Sequence, residues 1–381
     1  MTDYKLVRLG DYITEYSVKN KSNEDIPVYS VTNTQGFCTE YFSKDVSSKD
    51  KSNYKIVPRG CFAYNPSRIN VGSVDWQRYE DRVIVSPLYN VFKVSPELEN
   101  QYLYYFLKSD IGHTLITSKA EGSVRDNLKI TMLAEFSIPL PPLETQKQIA
   151  KQLNKCTTLL EKHKQMLENY DTLIKSRFIE MFGDIIQNTK KWELKSFTEI
   201  AKSRLGNMLD SQKQTGKEKY PYLANFNVQW FRFNLENLNE MDFSEADRIE
   251  FALKDGDLLV CEGGEVGRCA VWHNQIDNCF FQKAVHRVRL NMEFVHPDYM
   301  AYWFKFHSDF NSFDDIVGSK ATIAHLTGEK LKLLQIPVPP LSLQNDFASF
   351  VQQIDGIKSA VQKSLEKAET LYKSLMQQYF A

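Results

Sequence analysis

Two glycine-containing segments come closest, in residue type and spacing, to the signatures of a catalytic site. Asn65-Pro66 is followed by Ser67, whereas adenine methyltransferases need a second proline and an aromatic residue there to hold a flipped base. The stretch EGGEVGRC at 262–269 contains GGEVG rather than GxGxxG, and no amphipathic helix is predicted after it. A dinucleotide site is therefore not indicated. Neither segment predicts an enzyme.

Other catalytic and metal-binding signatures are also missing from the sequence. It has no GxxxxGK[ST] loop, no HExxH, no GxSxG around a serine, no clustered His/Asp set and no convincing PD…(D/E)xK pattern. The cysteines form no CxxC pair; they are Cys38, Cys61, Cys156, Cys261, Cys269 and Cys279. A zinc site needs paired ligands at short spacing, so we expect reduced thiols and no metal. These absences favour a binding protein over an enzyme.

Length and composition predict a cytoplasmic protein of two or three domains. The chain has 381 residues, of which 42% are hydrophobic and 25% charged, as in ordinary globular proteins. The N-terminal stretch MTDYKLVRLGDYITEY lacks the apolar core of a signal peptide, and no run is apolar and long enough to span a membrane. Lys+Arg is 47 and Asp+Glu is 48, so the net charge is −1 and tight, unaided binding to nucleic acid is not expected.

The elements that must position any binding residues come from a tandem duplication. Residues 138–143 read IPLPPL, and 198 residues further on, at 336–341, the chain reads IPVPPL. This offset holds without a gap to the end of the chain. Upstream, NQYLYYFLK at 100–108 is echoed by PDYMAYWFK at 297–305. Two copies of so long a unit indicate a duplication rather than a solenoid.

Each copy follows the same plan. Its globular part contains short β-branched or aromatic runs broken by Gly, Pro, Asn and Asp, which predict a strand-rich, mixed α/β fold of the α+β class. One amphipathic helix is expected in each copy, at 98–108 and at 297–307. A proline-rich hinge and a long helix follow. We divide the chain into a first unit with its hinge (1–143), a central helix (144–184), a second unit with its hinge (185–341) and a C-terminal helix (342–381).

Both predicted long helices carry a heptad seam, with steps that alternate between four and three residues. The seam residues are Ile149, Leu153, Cys156, Leu160, His163, Leu167, Tyr170, Ile174, Arg177 and Met181 in the first helix and Phe347, Val351, Ile354, Lys358, Val361, Leu365, Ala368, Tyr372, Leu375 and Tyr379 in the second. A helix with one apolar stripe of about 55 Å is not stable alone in water. We therefore expect an antiparallel coiled coil, in which the polar seam residues limit slips of register.

Two similar units held apart by a helical rod would form a caliper with pseudo-twofold symmetry. Such an object can contact two separated half-sites, and duplex DNA is the commonest ligand of that kind. The divergence of the two units predicts that the half-sites differ. The alternatives are a non-catalytic, two-headed scaffold or spacer between protein partners, and a stand-alone enzyme of an unrecognised class.

The paired hinge-and-helix blocks resemble those of the specificity subunits of type I restriction–modification systems. They are IPLPPLETQKQIAKQL at 138–153 and IPVPPLSLQNDFASFV at 336–351, where that family has IPLPPLxEQxxI. Both copies keep the glutamine, but the acid is shifted in the first and absent from the second. GDLLVCEGGEVGRCAV at 256–271 looks like the family's glycine-rich hairpin, from which GCFAYNPSRINVGSV at 60–74 departs. The resemblance spans the whole chain.

The resemblance implies that each globular unit is a target recognition domain for one half of a bipartite, asymmetric DNA sequence. The chain itself would have no catalytic residue and no cofactor. Two methyltransferase (modification) subunits would dock on the long helices and bring S-adenosylmethionine for adenine-N6 methylation. Restriction subunits, where present, would bring ATP and Mg for translocation and cleavage. Partners could then supply much of the phosphate neutralisation, which reconciles DNA binding with a net charge near zero.

Loop residues that can donate or accept hydrogen bonds are the candidates for DNA contact, because base edges are recognised by such side chains. We predict contacts by Arg68, Asn70, Lys119, Ser123, Arg125 and Asn127 in the first unit, and by Gln212, Lys213, Arg268, Lys320, Thr322 and His325 in the second. On the outward face of the central helix, the predicted docking residues are Gln148, Lys151, Lys155, Lys162 and Gln165. Without partners, that face would simply be solvated.

Overall fold

The computed structural model describes residues 4–39, 50–120, 127–208, 216–313 and 325–380. The chain divides into two compact units. The first consists of Met1–Met166 and Val361–Ala381, and the second of Leu167–Ala360. Each of the two long helices therefore contributes one part to each unit.

Short antiparallel strands and flanking helices form the first unit. Its strands are β1 (Leu6–Arg8), β2 (Ile13–Glu15), β3 (Ser30–Thr32), β4 (Gly36–Cys38), β5 (Lys55–Pro58), β6 (Phe62–Tyr64), β7 (Val74–Trp76), β8 (Arg82–Val85), β9 (Asn90–Val94) and β10 (Ser137–Pro139). Its helices are α1 (Asn100–Lys108), α2 (Asp110–Ala120), α3 (Ile130–Leu133) and the first part of α4 (Leu143–Phe182). A four-stranded sheet has the order β2-β9-β6-β7, and β1 pairs with β10. The pairs β3–β4 and β5–β8 complete the unit.

The second unit repeats this plan with additions. Its strands are β11 (Glu193–Ser196), β12 (Ala201–Leu205), β13 (Lys219–Leu223), β14 (Val228–Gln229), β15 (Arg232–Phe233), β16 (Asn239–Asp242), β17 (Leu258–Cys261), β18 (Cys269–Val271), β19 (Phe280–Phe281), β20 (Val285–Leu290) and β21 (Gln335–Val338). Its helices are α5 (Phe197–Ile200), α6 (Glu245–Glu250), α7 (Pro297–Asp309), α8 (Gly328–Lys332) and the first part of α9 (Leu341–Phe380). The four-stranded sheet has the order β12-β20-β17-β18, and a further sheet has the order β16-β13-β19. The remaining pairs are β14–β15 and β11–β21.

The two units share the strand order of their four-stranded sheets and the pairing of the two inner strands. In the central sheets, Phe62 lies opposite Phe92 just as Leu258 lies opposite Val288. In both units the strand that leads into the proline-rich hinge, β10 or β21, pairs with the unit's first strand. The duplication and the strand-rich α/β fold predicted from the sequence are confirmed.

The predicted amphipathic helices, α1 and α7, turn an aromatic face into the core of each unit. Tyr102 and Phe106 of α1 are buried, and so is Tyr299 of α7. The start of α1 is fixed by the Glu99 side chain, which accepts the Tyr102 N–H at 2.6 Å. Proline at the first position of α7 supplies a residue whose missing N–H would have had no helical partner there. Both helices thus form where the sequence predicts them.

The far ends of the long helices complete the cores of the two units. In the second unit, Phe182 at the end of α4 packs 4.9 Å from Tyr299. In the first unit, Phe380 at the end of α9 packs 5.2 Å from Tyr102. Phe182 and Phe380 are equivalent by the repeat, so each copy's helix closes the core of the unit formed mainly by the other copy.

Contacts within each unit confirm the antiparallel packing of α4 on α9. In the second unit, Phe178 lies 5.2 Å from Phe347, and Asp171 forms an ion pair with Lys358 at 2.5 Å. All twenty predicted seam residues are buried or half-buried, as a heptad seam requires. None of the described helices is long and apolar enough to cross a membrane.

A buried glutamine ties each hinge to the segment that precedes α1 or α7. The Gln146 amide donates to the carbonyls of Glu97 (3.0 Å) and Pro141 (2.9 Å) and accepts the Glu99 N–H (2.8 Å). Gln344 makes the same three bonds, to Phe294 (2.9 Å), Pro339 (2.7 Å) and His296 (2.8 Å). This is the glutamine that both copies of the sequence block retain.

Candidate nucleic-acid interface

Each unit contains a cleft at the same place in its fold, beside the loop that follows β6 or β17. The first cleft, of about 510 Å³, is lined by Pro66, Ser67, Leu88, Asn90, Asn127, Lys129, Ile130 and Thr131. The second cleft, of about 490 Å³, is lined by Asn225, Glu262, Gly263, Gly264, Ala284, His325 and Thr327.

Matching hydrogen bonds show that the two clefts are equivalent. At the first cleft, the Leu128 N–H donates to the Pro66 carbonyl at 3.1 Å. At the second, the Leu326 N–H donates to the Glu262 carbonyl at 2.7 Å. Each bond joins the loop after the central strand to the segment before α3 or α8. The side chains around these bonds differ. The two clefts therefore have the same backbone arrangement but present different side chains.

Two residues on facing segments lie close together in each cleft. In the first cleft, the Ser67 hydroxyl donates to Asn127 Oδ1 at 2.8 Å. In the second, Gly263 takes the place of the serine and His325 that of the asparagine. A Cβ on Gly263 would lie only 2.8 Å from His325 Nδ1, so glycine leaves the room that the imidazole occupies.

Different polar groups lie beneath the two clefts. Asn90 donates to the Tyr64 hydroxyl at 3.0 Å, and the equivalent residue of the second unit is His286. Burial lowers the pKa of His286, against the attraction of Glu262, so the ring is neutral at pH 7. Neither ring nitrogen has a partner among the described residues. Such a group costs stability unless something else satisfies it.

The clefts also differ in charge. Lys129 is exposed in the first cleft and forms no ion pair within the described part of the chain. Glu262 is half-buried in the second cleft, and within the same part of the chain its carboxylate has neither a hydrogen-bond nor an ion-pair partner. One cleft therefore presents a cation and neutral hydrogen-bonding groups, and the other an anion and an imidazole.

The structure brings two of the predicted DNA-contacting residues, Asn127 and His325, into these clefts. Arg68 is exposed directly after Ser67, and Asn70 follows in a 3-10 turn, Ile69–Val71, with its Oδ1 buried. Six further predictions lie outside the described residues: Ser123, Arg125, Gln212, Lys213, Lys320 and Thr322.

Two predicted contacts are engaged within the protein. Lys119 forms an ion pair with Glu135 at 2.8 Å, with both side chains half-exposed. The Arg268 guanidinium donates to the Asn225 carbonyl at 3.0 Å and to its Oδ1 at 2.8 Å. Arg268 therefore holds the β17–β18 hairpin against the turn at Asn225–Asn227, and base contact by this group would require those bonds to break.

Sequence reasoning missed Ser67, Lys129, Gly263 and Glu262 as members of the clefts. The signal that could have found them is the repeat itself. The 198-residue offset of the hinge blocks aligns Asn127 with His325. The same offset therefore aligns their neighbours in the segments that precede α3 and α8. The residues on the facing loop could not be paired in this way, because the offset changes slightly upstream.

The predicted docking residues of the central helix are all exposed. Lys151, Lys155 and Lys162 line a further cleft of about 540 Å³ in the first unit, together with Lys147 and Glu99. This surface is basic, open and partly apolar.

Exposed apolar residues recur at equivalent positions of the two long helices. Leu159 and Leu173 of α4 are 44% and 45% exposed. Their repeat equivalents in α9, Ile357 and Leu371, are 43% and 51% exposed. Each pair is separated by two heptads, so both helices carry the same apolar spacing outside the seam.

The described residues contain no group of three His, Cys, Asp or Glu side chains that could hold a metal ion. The six cysteines are free, and burial raises the pKa of the Cys279 thiol to about 12. The Cys279 thiol is consequently protonated at neutral pH.

The chain is thus a duplication in which each unit is rich in strands and contains an equivalent cleft of different chemistry. The family model of the type I restriction modification DNA specificity domain matches residues 2–169 and again residues 189–369. The chain therefore belongs to this family, as its hinge-and-helix blocks predict.

Similar proteins agree over nearly the whole length. The type I restriction enzyme EcoKI specificity subunit of Escherichia coli K12 is 22% identical, and the match covers 98% of this chain and 86% of that protein. The MjaVIII specificity subunit of Methanocaldococcus jannaschii is 21% identical, with 98% and 91% covered. The S subunit structure from M. genitalium shares the fold, with a TM-score of 0.58 and 14% identity, over 100% of this chain and 97% of that one. A chain solved in work on assembly of the type I R-M system has a TM-score of 0.55, 15% identity and coverage of 100% and 98%.

Proposed function

We propose that this chain is the non-catalytic DNA specificity subunit of a type I restriction–modification complex, and that each unit contacts one half of a bipartite, asymmetric target. The observation that carries the proposal is the pair of equivalent clefts with different side chains. Reading two unlike half-sites with one fold requires a common backbone frame that presents different donors and acceptors. Membership of the DNA specificity family supports the same function.

DNA binding by the isolated chain is weak and salt-sensitive in this proposal. The numbers of acidic and basic residues differ by one, so the chain alone neutralises few phosphates and binds weakly. The phosphate contacts that it does make weaken as the salt concentration rises. Partner subunits supply the further phosphate contacts, and the specificity chain supplies the base contacts. The complex works in the cytoplasm, where the host DNA lies.

The partners are two methyltransferase subunits that dock on the long helices. The support is the equal spacing of exposed Leu159, Leu173, Ile357 and Leu371, which offers two similar apolar faces for two copies of one partner. Lys151, Lys155 and Lys162 line a basic cleft that also includes Leu159 of α4. The methyltransferase subunits carry S-adenosylmethionine, and restriction subunits carry ATP and Mg.

Exchange of one unit tests this function. Residues 1–137 are replaced by the matching segment of another family member, and the assembled methyltransferase complex is assayed by sequencing N6-methyladenine in host DNA. Only one half of the recognised motif is expected to change, because each unit contacts its own half-site. Exchange of residues 188–335 is the matched control and is expected to change only the other half.

Two outcomes would argue against the proposal. A change of both halves by one exchange would show that the units do not recognise DNA separately. A complex with no sequence preference in any form would favour the two-headed scaffold, which links protein partners without contacting DNA.

A further inference from the structure

We propose that the two clefts hold the base-reading side chains: Asn127 and Lys129 for one half-site, Glu262 and His325 for the other. We further propose that Glu262 accepts a hydrogen bond from the amino group of a cytosine. This inference rests on the proposed function and deepens it, because it names the residues that make the half-sites different.

The first step is the equivalence of position. The backbone bonds from Leu128 to Pro66 and from Leu326 to Glu262 place the same two segments side by side in both units. Across them, Ser67 meets Asn127 in one unit, and Gly263 meets His325 in the other. A contact site in one unit is therefore a contact site in the other, and only its chemistry changes.

The second step is the charge of Glu262. A carboxylate at a DNA surface is repelled by the phosphates, so it weakens binding unless it meets a donor. The donors that bases present in the major groove are the amino groups of cytosine and adenine, and glutamate pairs with cytosine N4. Since no described protein group occupies the half-buried Glu262 carboxylate, it is available for that bond.

The third step is the shape of the second cleft. Glycine at 263 lets the His325 imidazole lie against the loop that carries Glu262. The carboxylate acceptor of Glu262 and the imidazole therefore line the same cleft. A side chain at 263 would push the ring away. The two groups thus form a compact contact site built from two segments of the chain.

The first cleft offers the complementary chemistry. Asn127 is oriented by the Ser67 hydroxyl, which occupies its Oδ1. Lys129 lies two residues further along the same segment and is exposed. Lysine pairs with the O6 and N7 acceptors of guanine. We therefore expect a guanine in the half-site contacted by the first unit and a cytosine in the half-site contacted by the second.

The test uses the assembled methyltransferase complex and the N6-methyladenine motif that it produces in host DNA. Glu262→Gln keeps the size of the side chain and removes the charge, and it is expected to lower selection of cytosine at one position of one half-site by about 5- to 100-fold. His325→Ala is expected to relax the same half-site, and Lys129→Ala is expected to relax a guanine in the other. Glu293→Gln, an exposed carboxylate of the second unit outside the cleft, is the control and is expected to leave the motif unchanged.

The outcomes separate this inference from the proposed function. If the native complex methylates one bipartite motif and all three cleft variants keep it, the clefts do not contact bases and the inference is wrong, while the function stands. If Glu262→Gln relaxes a position other than cytosine, the base assignment is wrong. If the native complex has no sequence preference, the function itself fails. Gel filtration with the modification subunits checks that each variant assembles.

Discussion

Replacement of Phe178 by alanine is expected to lower the free energy of unfolding of the second unit by about 3–5 kcal/mol. Phe178 is fully buried, and its ring lies 4.7 Å from that of Phe306 and 5.2 Å from that of Phe347. Alanine would leave a cavity where three helices meet. Urea unfolding followed by tryptophan fluorescence measures the loss, because Trp303 lies in the same core.

The neighbouring Ile179 is the matched control for this substitution. It is 43% exposed on the same helix, so Ile179→Ala is expected to change the stability by less than about 0.5 kcal/mol. A Phe178→Ala protein within about 1 kcal/mol of the native one would contradict the packing described for the end of α4.

Loss of the hinge glutamine is expected to have the next largest effect. Gln146→Ala removes the side chain that pairs with the carbonyls of Glu97 and Pro141 and with the Glu99 N–H. Buried groups left without partners cost about 1–3 kcal/mol each, so a loss of about 3 kcal/mol in the stability of the first unit is expected. Gln344→Ala is expected to destabilise the second unit similarly, because its three bonds are the same.

Chemical denaturation of these variants is compared with that of Gln148→Ala. Gln148 is exposed two residues further along α4, and its removal is expected to be nearly neutral. Equal stabilities of Gln146→Ala and Gln148→Ala would mean that the glutamine bonds add nothing to the hinge.

Much of the fold is predictable here because the duplication repeats each signal. The alternation of four- and three-residue steps predicts the helices that the structure has at Leu143–Phe182 and Leu341–Phe380. The proline pair of each hinge motif lies between the strand and the long helix. The aromatic runs at 100–108 and 297–305 form helices in both copies. The period of the hydrophobic residues and the positions of the prolines are local properties, so they can be read directly from the sequence.

The closure of each core is not a local property and was not foreseen. The seam of α4 correctly includes Ile174 and Met181, but Phe178 and Phe182 lie off the seam and pack against α7. The heptad pattern does not indicate into which unit's core the end of each long helix packs. That depends on where two distant segments of the chain meet.

The candidate site was predicted in part. Asn127 and His325 were selected as polar residues next to glycine-containing segments, and the structure places both in the clefts. Glu262 is not among the predicted contacts, because the sequence does not show that it lines the same cleft as His325. Arg268 was selected for its charge, although it donates to Asn225 within the protein. Residue type predicts which groups can contact a base, whereas tertiary contacts decide which are free to do so.

The most direct test of the central claim is to sequence N6-methyladenine across the host genome with the intact gene and with this chain deleted. The account predicts one bipartite, asymmetric motif with a non-specific spacer, present with the chain and lost without it. Survival of the same motif in the deletion strain would contradict the claim that this chain selects the methylated sites.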